Sequence, residues 1–228
     1  MKVAIVSANG SIGTAILRQL LLRSDITSII TITRTPLPPT DPRLHNLLIP
    51  DFSLLHSVPE ATWSQLLTAD ALIWAMGTYD YNEAVNLHYP LSFQEQLVKR
   101  LGARREERGV RFVLLGGAFV EPDQSRWLYF LGAQRRLKGV LQTRTLELAE
   151  ASRGVRWEAY VIRPGGVLMG GDSYLNTIAE CVLGGGLAIR GEELGAFVAE
   201  LVVSGSERCV IDNREMVEVG RRLLAERT

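Results

Sequence analysis

The chain opens with an apolar strand that runs directly into a glycine-punctuated turn and then a helix, and this succession constrains the rest of the fold most strongly. Lys2-Val3-Ala4-Ile5-Val6 is the strand and Ser7-Ala8-Asn9-Gly10-Ser11-Ile12-Gly13 the turn, after which Ile12, Ala15, Ile16 and Leu20 recur at helical spacing. Gly10 lets the backbone approach an anionic group with no Cβ in the way. Gly13 permits close helix–strand packing, and the helix N-terminus offers free N–H groups and the positive end of its dipole. A pyrophosphate is the ligand this arrangement suits. Ser7, Asn9, Gly10, Ser11, Ile12 and Gly13 are its expected contacts.

Strands and helices alternate along the rest of the chain. Ser28 to Thr33 is rich in β-branched residues and predicts a second strand, Leu47-Leu48-Ile49 a weaker third, and Ala71 to Met76 a fourth. A long helix is expected from about Leu91 to Glu107, a fifth strand from Arg111 to Leu115, a helix between Gly132 and Ala151, and a sixth strand from Trp157 to Ile162. Beyond it lie an expected helix over Asp172 to Leu183, a short strand over Leu187 to Arg190, a helix over Glu192 to Val203 and a last strand over Arg208 to Ile211. A closing helix would place Met216, Val219 and Leu223 on one face. The pattern predicts an α/β fold, a doubly wound parallel sheet with helices on both faces. Residues 1–228 read as a single domain, with 165–228 contributing a short substrate-side cap and pocket wall.

Composition narrows the function classes. The 25 Lys and Arg balance 25 Asp and Glu, so nothing global attracts a polyanion or an acidic membrane surface, and the expected partner is a small-molecule substrate. The two cysteines, Cys181 and Cys209, lack metal-ligand spacing, and His45, His56 and His88 are scattered, so no metal site is expected. No long hydrophobic run opens the chain, which leads to the expectation of a soluble, cytoplasmic protein.

Further cleft residues follow from strand ends, because open α/β sheets bind ligands outside the carboxyl ends of their strands. Arg34 follows the second strand, where an adenosine ribose would lie. A cation there suits a 2′-phosphate and favours NADP(H) over NAD(H), although Arg34 also reads as a solvated surface charge. Asp51-Phe52 would lie beside adenine, and Ala75-Met76-Gly77 would line the dinucleotide cleft.

The residues Ser7 to Gly13, Asp51-Phe52, Lys138-Gly139 and Arg163-Pro164-Gly165 together resemble the atypical short-chain dehydrogenase/reductase superfamily, in particular its small NAD(P)-binding, epimerase-like proteins. The resemblance runs essentially from Met1 to the C-terminus. It implies a Rossmann fold, dinucleotide binding that includes Lys138, Pro164 and Gly165, and oxidoreductase chemistry on a small carbonyl or alcohol. It also implies a Tyr-x-x-x-Lys pair assisted by a serine from the end of the fifth strand, the tyrosine exchanging a proton while the lysine lowers its pKa and anchors the nicotinamide ribose.

Here the sequence departs from that pattern. Lys138 matches the lysine, but Gln134 stands four residues earlier and Gly116 stands where the serine is expected. Tyr129 is the candidate replacement if the helix begins after Gly132 and leaves Trp127, Tyr129 and Phe130 in a loop folded over the pocket; packing as a core or lid residue is its other reading. Tyr79, Asp80, Tyr81, His88, Glu121 and Asp123 also follow strand ends. Three functions stay open at this point: an oxidoreductase with a nonstandard proton donor, a non-redox isomerase, dehydratase or cyclase on the same scaffold, and a non-catalytic NADP(H) sensor.

Overall fold

A computed structural model describes residues 1–78, 80–104, 109–170 and 187–227. Its main sheet has seven strands, all parallel, in the order β3-β2-β1-β4-β5-β6-β9, formed by Leu44–Leu48 (β3), Ser28–Thr33 (β2), Lys2–Val6 (β1), Ala71–Trp74 (β4), Val110–Leu115 (β5), Trp157–Arg163 (β6) and Val210–Asp212 (β9). Gly166–Leu168 (β7) and Ala188–Arg190 (β8) pair in parallel as a small second sheet. The helices are α1 (Ser11–Leu21), α2 (Glu60–Leu66), α3 (Tyr89–Arg104), α4 (Gly132–Ala151), α5 (Gly191–Ser204) and α6 (Asn213–Ala225). Strand order reverses between β1 and β4, which opens a crevice at their carboxyl ends.

The two faces of the sheet carry separate cores, which is why the central strands read as unbroken apolar runs. On one face Ile16 and Leu20 of α1 pack with Phe197, Val198 and Val202 of α5 and Met216 of α6. The other face is aromatic: Phe93 of α3 meets Trp63 of α2 at 5.5 Å and Trp74 of β4 at 5.3 Å between ring centroids. Each of these large side chains is fully buried. At about 25 cal/mol per Å² of apolar surface removed from water, the aromatic cluster is a main source of stability on that face.

Several expected boundaries move. The third strand starts earlier than Leu47, at Leu44, because it is an edge strand with one buried side chain and so carries a weak apolar signature. Ile49 still donates its N–H to Thr33 O at 3.0 Å. The fourth strand stops at Trp74, which frees Ala75 and Met76 for the crevice. The last strand lies at Val210–Asp212, slightly later than expected. Helix α2, a 3₁₀ segment over Phe52–Ser57 and a turn of π-helix over Ala84–His88 are additional.

The expected helix over Asp172 to Leu183, Cys181, Tyr79 and the end of the helix predicted to Glu107 lie outside the described residues. Among the described residues no helix is long and apolar enough to cross a membrane. Of the segment 165–228, residues Gly165, Gly166 and Val167 wall the crevice, whereas α5, β9 and α6 build sheet and core.

Candidate functional site

The turn between β1 and α1 is shaped by one close approach and one unusual backbone angle. A Cβ at Gly13 would stand 2.0 Å from the carbonyl oxygen of Ser7, so only glycine lets the helix start fold back over the strand end. Ser7 itself is left-handed, with φ of 64°, in the place where the resembled family carries its first glycine. Its N–H donates to Ile32 O at 2.9 Å and its carbonyl accepts from Gly10 N at 3.0 Å, which holds the strained residue in place. No acidic residue occupies the first turn of α1 and no side chain caps it, so the helix start presents N–H groups unopposed by negative charge.

A continuous trench runs from this turn along the carboxyl ends of the strands in three parts. The outer cleft, of about 400 Å³, is lined by Ser7 and Asn9 of the turn, Arg34 and Thr35 after β2, and Pro50 and Phe52 after β3. Met76 forms its inner limit and joins it to a middle cleft of about 130 Å³, lined by Ile12, Ala75, Gly77, Gly116 and Lys138 among others. Gly117, Lys138, Pro164 and Gly165 are then shared with an inner cleft of about 210 Å³, which adds Phe119, Leu131 and Gln134. The segments after six strands and one face of α4 therefore bring together residues more than a hundred positions apart.

Most of the residues expected from the sequence meet in this trench, with two differences. Asp51 turns its carboxylate onto Ser53, accepting from the backbone N–H at 2.8 Å and from the hydroxyl at 2.7 Å, so it caps the 3₁₀ segment while Phe52 and Pro50 face the cleft. Those two donors hold the Asp51 carboxyl below the usual carboxylate range. Gly10, Ser11 and Gly13 form the turn without lining the cleft walls. In the outer cleft Arg34 is exposed, and among the described residues no carboxylate forms an ion pair with it.

Lys138 stands where the middle and inner clefts meet. Its ammonium lies close to Gly117, 3.6 Å from where a Cβ on that residue would be. Burial pushes the lysine below its ordinary pKa, and among the described residues no carboxylate pairs with it. The neighbouring Gly139 accounts for the Lys-Gly pair: a Cβ there would lie 1.9 Å from Glu121 O, so α4 touches the loop after β5 backbone to backbone. Gln134 faces the inner cleft one helical turn before Lys138, and Gly116, at the end of β5, offers no hydroxyl.

Tyr129 does not reach this site. Helix α4 does begin at Gly132, after Leu131 in a left-handed conformation, but the preceding loop runs along the outside of α4 instead of over the pocket. Arg136 donates to Arg126 O at 2.9 Å and Arg135 to Phe119 O at 2.8 Å, which draws the loop outward and leaves Tyr129 92% exposed with its ring edge-on to Trp127. Core packing is likewise excluded for it. Glu121 is buried but held by Arg126 at 3.1 Å and by the Asp123 N–H at 3.1 Å; Asp123 caps Ser125, and His88 sits on the surface against Glu83 at 3.3 Å.

Two asparagines position the walls and escaped the sequence reading. Buried Asn86 accepts from Thr78 N at 3.1 Å and donates to Asp80 O at 3.1 Å, pinning the loop after β4. Asn213, at the start of α6, accepts from Gly165 N at 2.7 Å and donates to Ala188 O at 2.9 Å, fixing the loop after β6. For Asn213 the available signal was an asparagine just after a predicted strand end, whereas Asn86 lies between predicted elements with no such signal. Their backbone partners are set by tertiary contact.

No family model and no curated protein matches the chain by sequence. Solved structures do match by shape. A 4-hydroxyisoleucine dehydrogenase complexed with NADH has a TM-score of 0.66 at 17% identity, over 93% of this chain and 97% of that one. A short chain dehydrogenase from Burkholderia cenocepacia in complex with NADP has a TM-score of 0.66 at 15% identity, over 99% of this chain and 93% of that one. One from Leptospira borgpetersenii with bound NAD+ has a TM-score of 0.67 at 15% identity, over 95% and 92%. The chain has the Rossmann fold of the short-chain dehydrogenases and reductases, over more than nine-tenths of its length.

Proposed function

We propose that the chain is an NADP(H)-binding oxidoreductase of the short-chain dehydrogenase/reductase type, acting on a small carbonyl or alcohol. The observation that carries this reading is the trench itself, which joins an uncapped helix start, an arginine with no carboxylate partner among the described residues and a half-buried lysine along one line of strand ends. The residues fit a phosphorylated dinucleotide. Gly13 brings the helix start close to the strand, Ser7 and Asn9 border the place for the pyrophosphate, and Arg34 supplies positive charge for a 2′-phosphate in a cleft with no acidic lining residue. Pro50, with the edge of the largely buried Phe52, gives the adenine an apolar border. Ala75, Met76, Gly77, Pro164 and Gly165 would flank the nicotinamide, with Lys138 donating hydrogen bonds to its ribose.

When bound, the dinucleotide supplies a hydride donor or acceptor. The protein's own part is to exclude water, align the substrate and hold a proton near its oxygen. With Tyr129 on the surface and Gln134 unable to ionise, Lys138 is the one described side chain on the middle and inner clefts that can give up a proton at attainable pH. Incubation with NADPH and a panel of carbonyl compounds, followed at the nicotinamide absorbance, tests the reading: substrate-dependent loss of NADPH is expected, and tight binding with no hydride loss to any carbonyl contradicts it.

A second reading is favoured by the same replacements at Gln134 and Gly116: a non-redox isomerase, dehydratase or cyclase with Lys138 as its acid–base group. It predicts turnover in protein stripped of nucleotide. An absolute requirement for stoichiometric NADPH contradicts it.

A further inference from the structure

The inner cleft shares no lining residue with the outer one and lies beyond Lys138, where the dinucleotide reading assigns no group. Two cations line it, Arg135 and Lys138, three residues apart on α4 and therefore neighbours on the helix surface. Among the described residues neither pairs with a carboxylate, and no acidic side chain lines the cleft. The Arg135 guanidinium is held in place without being neutralised. Its Nε donates to Phe119 O at 2.8 Å and its Nη1 to Phe130 O at 3.5 Å, and its central carbon lies 5.9 Å from the centre of the Phe119 ring. Both acceptors are neutral carbonyls, and the Nη2 amino group donates to nothing among the described residues. Gln134 adds a neutral amide one turn before Lys138, and the rest of the wall is apolar, with Phe119 and Leu131 partly exposed.

A neutral ligand would leave both charges without a counter-ion, whereas a carboxylate on a guanidinium of fixed orientation forms charge-assisted hydrogen bonds, about twice as strong as neutral ones. Gln134, Arg135 and Lys138 span little more than one helical turn, so the ligand oxygens they contact must lie close together. A 2-oxo acid has this arrangement, with its carboxylate and ketone on adjacent carbons. We infer that the inner cleft takes a 2-oxo monocarboxylate with an apolar body, its carboxylate on Arg135, its ketone oxygen accepting from the Gln134 amide and its hydrocarbon against Phe119 and Leu131. The inference rests on reading the trench as a dinucleotide-dependent carbonyl site and names the substrate class of that site.

Calorimetric titration of NADP+-saturated protein with phenylglyoxylate and with acetophenone tests it, since the two share a ring and a ketone and differ in a carboxylate against a methyl group. NADP+ has no hydride to give, so binding alone is read, and on this reading it covers Arg34. Phenylglyoxylate is expected to bind at least about tenfold more tightly than acetophenone, as a hydrogen-bonded charge pair implies. It should also bind more tightly than pyruvate, which lacks the ring. Arg135→Gln should weaken phenylglyoxylate at least about tenfold and acetophenone less than about twofold, a split that general loosening of the loop would not give. Arg135→Lys, which keeps the charge, should recover part of the loss; if neither variant folds, the wild-type comparison decides. Equal or tighter binding of acetophenone, no binding of either compound, or a loss in Arg135→Gln that is absent or shared equally by both compounds overturns the inference. If NADP+ fails to bind while nucleotide-free protein keeps an Arg135-dependent preference for phenylglyoxylate, the dinucleotide reading alone fails; if NADP+ binds and the preference is absent, this inference alone fails.

Discussion

Gln134 and Lys138 stand one turn apart on α4 and face the same cleft beside Gly165, the lysine at its junction with the dinucleotide side and the glutamine toward its apolar mouth. The pair keeps the geometry of a tyrosine–lysine couple and lacks the phenol. Gln134→Tyr should therefore supply a proton donor whose pKa, ordinarily about 10, is lowered by the adjacent ammonium. A positioned general acid contributes about a hundredfold or more, so carbonyl-dependent NADPH loss should rise at least about tenfold, allowing for imperfect placement and the absent serine. Initial rates of the variant and wild type against phenylglyoxylate check this, and an unchanged rate would mean that the side chain at 134 does not reach the reacting oxygen.

Lys138 gives the stability a pH dependence of known sign. Burial lowers its pKa in the folded protein, so between that lowered value and the ordinary lysine value of about 10.4 the unfolded chain binds the proton more tightly, and stability rises with pH across this window. At neutral pH, below the window, the full penalty for burying the charge is present. Lys138→Met removes it. Denaturant unfolding of both proteins without nucleotide should show the variant more stable at neutral pH, with the difference shrinking as pH approaches about 10.4; a difference that grows through the window would contradict the account.

Ser7 holds a left-handed backbone that costs a non-glycine residue about 1–2 kcal/mol. Ser7→Gly relieves this cost but adds freedom to the unfolded chain, leaving a net gain of about 0.5–1 kcal/mol. At about 2–4 °C per kcal/mol for a chain of this size, the melting temperature should rise by about 1–4 °C. A thermal melt measures it, and a fall would show that the Ser7 hydroxyl contributes more to the turn than the strain removes.

Gly139→Ala sets a methyl group 1.9 Å from the carbonyl oxygen of Glu121, and both sides of that contact are backbone. The loop must move off α4, at a cost of about 3 kcal/mol or more. The expected fall in melting temperature is about 6–12 °C or greater, at about 2–4 °C per kcal/mol. Because the loop begins next to the inner cleft, phenylglyoxylate binding should weaken in parallel. A melt within about 2 °C of wild type, where overpacking would cost several degrees, would place the contact elsewhere.

The parallel sheet was legible because buried strands declare themselves as apolar or β-branched runs, and Ser28–Thr33 has the bounds the sequence predicted, as does helix Gly132–Ala151. Helix α2 was missed because its seven residues are too few to establish a period, and β3 began early because an edge strand needs little apolar character. At the site, the phosphate turn and Arg34 were readable from their places after predicted strands, and Lys138 and Gln134 from the resemblance to the short-chain dehydrogenases and reductases. Asn86 and Asn213 were not, since each works by bonding the backbone of a loop whose proximity only the fold creates. The fate of Tyr129 was equally hidden: which side of α4 its loop takes depends on Arg135 and Arg136 reaching the carbonyls of Phe119 and Arg126.

The central claim, that the trench is built for a 2′-phosphorylated dinucleotide, is tested most directly by titrating wild type and Arg34→Glu with NADPH and NADH while following nicotinamide fluorescence. Wild type should bind NADPH saturably, one per chain, and at least about tenfold more tightly than NADH, as a charge-assisted contact worth about 1.5–3 kcal/mol implies. Arg34→Glu should abolish that preference or reverse it. Absence of saturable NADPH binding by wild type, or a preference for NADPH that survives Arg34→Glu undiminished, would contradict the account.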